Sequence, residues 1–543
     1  MPIRRHSAQL LVAAALALLA LSCADPITGA RHDNIPPQTY VWTDTLGVPQ
    51  TSQVRLSWWG DDPDGFVQGF LVSFDGVDWQ WTTEQERTFS LELGGVDTLI
   101  AQFRVCAVDM QGNGQWDSFV SVGAISFGPE AYEDADTNLA YTPGEAYVDY
   151  GAIDPEPASL AFLVKNSAPT MAFAQNTTIP AVTLPVASFL LDGRDADGDE
   201  TIVSYRIALN DTSASSWVTI PASTRLVSLV GDLSVPGAPV VSARAYGGTE
   251  LTDLAVTIPN LRLDATNVLY VYCTDRAGAA SAMARMPDTT KTWTVRRPVG
   301  RMKLLLVDDY AAASPNPDDI YRTALGLARD GTGASFSDYD VLDLRTYPIP
   351  EPIHQPMISL TLEQYPAVFW YAKIANLNYA QNTLPRFMVR GGKALMSSGF
   401  ENFVDPLGLP IDFAPIDSLI TAYTDSLGFS RPGYIPRVYL NSVVRSADTA
   451  SYPAMVFDRT ALFGTYAVEP SLGATVVYRL DTTKNPPNTL ELWVGTPPVG
   501  VRSATGNMIF MSVPTHLMNT TDPQGQNRLV RFFEAVLRDD FGL

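Results

Sequence analysis

Val105-Cys106-Ala107-Val108-Asp109-Met110-Gln111-Gly112 and Val271-Tyr272-Cys273-Thr274-Asp275-Arg276-Ala277-Gly278 are two versions of one ending. In each, an apolar strand stops at an aspartate and turns through a glycine. Working back from them, the same order of signals appears twice, over residues 34–109 and 166–275. The copies open on Asn34-Ile35-Pro36-Pro37 and Asn166-Ser167-Ala168-Pro169, and pass an Asp62-Pro63-Asp64-Gly65 or Asp195-Ala196-Asp197-Gly198 turn. Each then enters an apolar stretch, 67–74 or 202–209, and reaches Trp79 or Trp217. Short alternating runs such as Val54-Arg55-Leu56-Ser57-Trp58-Trp59, bounded by Gly, Asp and Pro, predict antiparallel strands with Val54, Leu56 and Trp58 facing inward. The expected fold of this half is two antiparallel β-sandwiches, over 34–126 and 166–298.

The Asp-Gly turn, the central tryptophan and the closing Val-Asp pattern resemble fibronectin type III and related immunoglobulin-like modules of bacterial surface proteins. Asp62, Asp64, Asp195, Asp197 and Asp199 are first of all turn residues, because their side chains bond nearby amides. Trp58, Trp59, Trp79 and Trp81 could stack on a sugar, but alternation sends some of them into the core.

Between the copies, residues 127–165 form an acidic linker rich in Asp, Glu, Tyr and Pro. Asp134, Asp136, Asn138, the Ala140 carbonyl, Thr142 and Glu145 stand at positions 1, 3, 5, 7, 9 and 12 of an EF-hand register, where hard oxygens close on Ca²⁺. The segment is similar to the Asp/Asn-rich calcium repeats of exported bacterial proteins. Leu139 occupies the place where such a loop normally has Gly.

From residue 300 onward the pattern changes. The continuous apolar run 303–307 ends at Asp308-Asp309-Tyr310, as expected of a strand buried on both faces. Helical and strand-like segments then alternate, through 367–371, Gly391-Gly392 and a late strand at 508–513. This predicts an α/β domain over 300–543 with a mostly parallel sheet. The order resembles the flavodoxin-like class I glutamine amidotransferase domains of exported bacterial proteins. That family implies a cysteine on a sharp strand-to-helix turn and a histidine near the last strands. Here the matching region offers Ser397 and Ser398 but no Cys, and neither Gly-x-Cys-x-Gly nor Gly-x-Ser-x-Gly is present. A serine site would need Ser398, His516 and a carboxylate such as Glu401. Ligands of open α/β sheets bind beyond the carboxyl ends of strands, which selects Asp308, Asp309, Tyr310, Tyr371 and Ser397 as binding candidates.

The N-terminus carries Arg4 and Arg5, an apolar run over 10–21, then Ser22 and Cys23. That run is short for the roughly 30 Å of a bilayer core and reads as a cleaved export signal, 1–22. Its ending resembles the bacterial lipoprotein lipobox, which implies acylation of Cys23 and a tether over 23–33. Thirty-six basic and 58 acidic residues give a formal charge of −22, which argues against nucleic acid as a partner. Of three cysteines, Cys106 and Cys273 lie in different sandwiches, and no Cys/His spacing suits zinc.

Together these readings predict a protein held at the bacterial cell envelope by a lipid on Cys23. Its expected role is binding or scaffolding toward a surface protein or glycan, with a noncatalytic C-terminal domain and Ca²⁺ as the one expected cofactor. Two rivals stand beside it: an exported hydrolase or amidotransferase-type enzyme built on Ser398 and His516, and a purely structural surface protein stiffened by calcium.

Overall fold

The computed structural model describes residues 34–43, 50–94, 96, 98–175, 177–299, 302–310, 317–373, 377–399, 409–420, 422–424, 430–432, 434–439, 443–446, 451–458, 461–480 and 496–543. The signal segment, Cys23, the tether and Glu401 lie outside the described residues. No described helix is long and apolar enough to cross a membrane. The chain divides into two compact units: one ends at Ser167 and takes in Arg276–Gly278, and the other comprises Ala168–Asp275 and Ala279–Leu543.

In the first unit, the strands Gln38–Trp42, Gln53–Asp61 and Glu86–Ser90 form one antiparallel sheet. A second, in the order Gln80–Thr82, Val67–Ser73, Thr98–Asp109, Ala158–Lys165, lies against it. Alternation drives Val54, Leu56 and Trp58 from the first sheet, and Phe70, Phe103 and Val105 from the second, into one core. Trp58 is fully buried with Phe103 at 5.4 Å, whereas its neighbour Trp59 points out and stacks on Tyr40 at 4.7 Å. The outer face of the second sheet presents Leu71, Cys106 and Val108. Phe127, Tyr150 and Ile153 cover them. Residues 127–165 are therefore less a linker than a second apolar layer, and their last eight residues are the edge strand Ala158–Lys165, paired with the strand Thr98–Asp109.

The second sandwich repeats the scheme. Ile202–Leu209 pairs with Leu269–Asp275 as Val67–Ser73 pairs with Thr98–Asp109, and each pair is bulged one step from its closing aspartate. Asp109 and Asp275 are both buried there. The five-stranded sheet from Thr170–Phe173 to Thr252–Arg262 and the four-stranded sheet around Ile202–Leu209 enclose Phe189, Tyr205, Ile207, Val271, Cys273 and Trp293. Cys106 and Cys273 are buried free thiols, and burial pushes both up from the usual thiol range.

The rest of the second unit is built on a nine-stranded sheet. Five of its strands are β1 (Leu304–Asp309), β2 (Asp340–Asp343), β3 (Ala367–Lys373), β4 (Lys393–Gly399) and β5 (Met508–Met511). They are parallel, in the order 2-1-3-4-5. The strands Pro498–Arg502, Thr475–Leu480, Val443–Ser446 and Met455–Val456 extend the sheet antiparallel beyond β5. Helices α1 (Pro317–Leu327) and α4 (Arg528–Phe533) pack on one face, over Leu304, Leu306, Phe369, Leu395 and Ile509. On the other face, α2 (Glu351–Leu362) and α3 (Asn378–Val389) cover Leu305, Val307, Trp370, Met396 and Phe510. Leu184, Val186 and Leu251 of the second sandwich join this latter core, while the rest of the sandwich keeps a core of its own.

Candidate functional site

Two places gather polar side chains. The first is the carboxyl edge of the parallel strands. Asp308 is nearly sealed, accepts the Tyr310 amide at 3.2 Å and lies 3.5 Å from Arg345. Burial raises its pKa, and the Arg345 guanidinium opposes that rise. Alternation turns Asp309 to the opposite face, where Trp370 Nε1 donates to it at 3.2 Å. Burial there lifts its pKa to about 7. Tyr371 donates to Asp318 Oδ1 at 3.1 Å, an oxygen shared with Arg322 Nε at 2.7 Å. Burial beside Asp308 and Asp318 pushes the Tyr371 phenol far above its ordinary range.

Ser397 is a saturated structural hydroxyl. It donates to the Val513 carbonyl at 3.1 Å, accepts the Thr515 amide at 2.9 Å and touches Tyr321 OH at 3.2 Å. Tyr321 OH also accepts the His516 amide at 3.0 Å and lies 3.4 Å from His516 Nδ1. The His516 ring packs on Tyr310 and Tyr321 and is buried. Ser398, one residue on from Ser397, falls on the other face, with Ala394 and Met396 of the α2/α3 core. Its hydroxyl is buried and has no hydrogen-bond partner among the described residues. The structure therefore brings Ser397, Tyr321, Thr515 and His516 together and leaves Ser398 out. Tyr321 and Thr515 escape sequence reading because a tyrosine on an amphipathic helix and a threonine after a strand look like packing residues.

The second place is the 134–145 loop. Carboxylate oxygens of Asp134, Asp136 and Glu145 lie within 4.8 Å of one another. Asp134 accepts the amides of Asn138 at 3.0 Å and Leu139 at 2.8 Å. Glu145 accepts those of Ala135 and Thr142, each at 2.8 Å, and thereby closes the loop from position 12. Asn138 Nδ2 and Thr142 Oγ1 both donate to Asp136 Oδ2, at 2.9 and 3.1 Å. Leu139 takes φ 62°, the left-handed conformation for which such loops use Gly, and its side chain is 90% exposed. Beside the loop, Trp116 stacks on Tyr141 at 4.2 Å, with Tyr132 and Tyr147 edge-on. The oxygen donor set and its register fit a hard divalent cation such as Ca²⁺. The aromatic bracket was legible only as scattered tyrosines flanking the acidic run.

No family model matches the chain, and no curated protein matches it. Among solved structures, the chain is similar to fibronectin(III)-like modules of Clostridium thermocellum CbhA, at 12% identity and TM-score 0.16, over 48% of this chain and 95% of that one. It is also similar to the chicken interferon gamma receptor alpha chain, at 10% identity and TM-score 0.13, over 48% and 100% of the two chains. The three N-terminal domains of the bacteriophage RB49 outer capsid protein Hoc align at 12% identity and TM-score 0.14, over 46% and 70%. Overlaps this loose decide nothing about activity or partners.

Proposed function

We propose that this chain is an exported binding or scaffolding protein of the bacterial cell envelope, held by a lipid on Cys23, whose C-terminal domain does no acyl-transfer chemistry. The observation that carries the noncatalytic reading is the placement of Ser398. A nucleophile needs a base within hydrogen-bond reach, and Ser398 lies on the sheet face away from His516, its hydroxyl without a partner among the described residues. Ser397, on the His516 side, is engaged on every side by Val513, Thr515 and Tyr321. The strand order 2-1-3-4-5 supports a flavodoxin-like domain of the amidotransferase type, with the nucleophile position lost.

The 134–145 loop supports a calcium-stiffened display structure. Ca²⁺ there would be held by Asp134, Asp136, Asn138, the Ala140 carbonyl, Thr142 and Glu145. It would relieve the mutual repulsion of three converging carboxylates and fix the layer that covers Leu71, Cys106 and Val108.

Two measurements test these statements. Mass spectrometry of the mature N-terminus from membranes of an expressing bacterium should find a lipid-modified Cys23, lost in Cys23→Ser together with membrane retention. An unmodified terminus starting elsewhere overturns the anchor. Tb³⁺ added to the purified protein should luminesce on excitation of Trp116 and Tyr141, compete with Ca²⁺, and go dark in Glu145→Gln. Luminescence unchanged by Glu145→Gln overturns the calcium loop.

A further inference from the structure

Where residue 34 begins the first sandwich, three large apolar side chains stand in water. Ile35 is 48% exposed, Phe66 75% and Met110 55%. They belong to three separate segments that hydrogen bonds tie together at one end of the sandwich. The Ile35 amide donates to both carboxylate oxygens of Asp64, at 3.2 Å each, and Asp64 stands two residues before Phe66. The Phe66 carbonyl accepts the Met110 amide at 3.1 Å. Asn34 Nδ2 donates to Asp109, which directly precedes Met110. The three side chains therefore share one knitted tip, made by the chain's entry, the Asp62–Gly65 turn and the closing turn after Asp109. The strand Val67–Ser73 leads away from it, about 20 Å at roughly 3.3 Å per residue.

Position says what meets this tip. With a lipid on Cys23, only residues 23–33 separate the membrane from Asn34. Eleven residues reach at most about 40 Å in any conformation, so the tip is the part of the first sandwich held nearest the bilayer. A link that short sets an effective concentration on the order of millimolar, at which a contact of a few side chains forms. An aromatic ring, a thioether and a branched aliphatic chain suit the boundary between headgroups and acyl chains. Charge selects the lipid. Asp61 and Asp64 are exposed beside the tip, and residues 34–37, 61–67 and 109–112 contain no Lys or Arg, so an anionic leaflet would repel it. We infer that Ile35, Phe66 and Met110 seat the first sandwich end-on against a zwitterionic membrane surface. The inference rests on the lipid-anchor reading for its native setting and on neither the calcium loop nor the C-terminal domain.

The test attaches the full mature chain to a membrane without its native lipid. A histidine tag replaces Cys23, and phosphatidylcholine vesicles carry a nickel-chelating lipid. A polarity-sensitive nitrobenzoxadiazole dye is placed on Met110→Cys or on Val77→Cys. Val77 lies beyond the far end of the strand Val67–Ser73 and is itself 74% exposed, whereas the native Cys106 and Cys273 are buried. Attachment should brighten the dye at position 110 several-fold, nitroxide-bearing lipids should quench it, and the dye at 77 should not change. Ile35→Ser combined with Phe66→Ser should abolish the response at 110, and phosphatidylglycerol in place of phosphatidylcholine should weaken it. A dye at 110 that stays dim on attached protein overturns the inference, as does an equal response at 110 and 77. Brightening that needs no vesicle and grows with protein concentration also overturns it, by making a second copy the occupant. Because the singly labelled chains decide these outcomes, a serine variant that fails to fold leaves the result intact. A dim dye would retire the tip without touching the anchor, and an unmodified Cys23 in cells would retire the anchor without altering this measurement.

Discussion

Ser397 and Ser398 are neighbours in sequence and strangers in space. Removing the Ser397 hydroxyl strands the Thr515 amide and unties Tyr321, so Ser397→Ala should destabilise the second unit by about 1–3 kcal/mol. Ser398→Ala removes a buried hydroxyl that bonds nothing among the described residues, and should be neutral or stabilising by up to about 1 kcal/mol. Urea midpoints of the two variants check the contrast, and equal losses would contradict it. Asp309 makes a pH prediction. Its carboxyl titrates near 3.8 when unfolded and at about 7 when folded, so the native state binds more protons between those values. Stability should therefore fall as pH rises from about 4 to 7, by on the order of 4 kcal/mol from this group, and level off above. Asp309→Asn should flatten that slope and raise the urea midpoint at pH 8. At this scale the sequence said which residues to watch, Asp308, Asp309, Tyr371 and Ser397, but not which face each would take. Strand register decides that, and a shift of one residue exchanges Ser397 for Ser398.

At the scale of elements, the 134–145 loop holds its turn with the wrong residue for it. A leucine in the left-handed region carries a penalty of about 1–2 kcal/mol. Leu139→Gly should relieve it and, if the loop takes up cation, tighten Tb³⁺ binding several-fold; a weaker titration would mean that the Leu139 conformation is needed for binding. The strands were legible because turns rich in Asp, Gly and Pro bracket alternating apolar residues, as in 54–59. The covering layer over Leu71 and Cys106 was not. Phe127, Tyr150 and Ile153 are spaced without period among acidic residues, and only the apolar outer face of the sheet they cover explains their burial.

At the scale of the molecule, α2 shows why the second unit holds together. Ile353, Met357, Ile358, Leu360 and Leu362 are all buried, so the helix has no wet side: the sheet takes one face, and the strands around Val186–Arg194 approach the other. Residues 168–543 should therefore unfold as one cooperative unit. In urea, Trp293 in the sandwich core and Trp370 in the sheet should report coincident transitions in single-tryptophan variants of that fragment. Two separate transitions would restore the boundary at 300 that composition alone suggests. The change of pattern there marks a change of architecture, from antiparallel sandwich sheets to a parallel sheet with helices on both faces.

Beyond β5 the sheet continues into antiparallel strands, whereas at its other end β2 pairs, among the described residues, only with β1. At that margin Arg296 is seated on the Val341 carbonyl, and the Asp340 carboxylate accepts the Val299 amide at 2.7 Å. A bare strand margin invites another polypeptide to add itself as the next strand, and a charged residue laid across it is a common deterrent. Loss of Arg296 should thus surface as self-association at high protein concentration, visible by light scattering before any change in the unfolding midpoint.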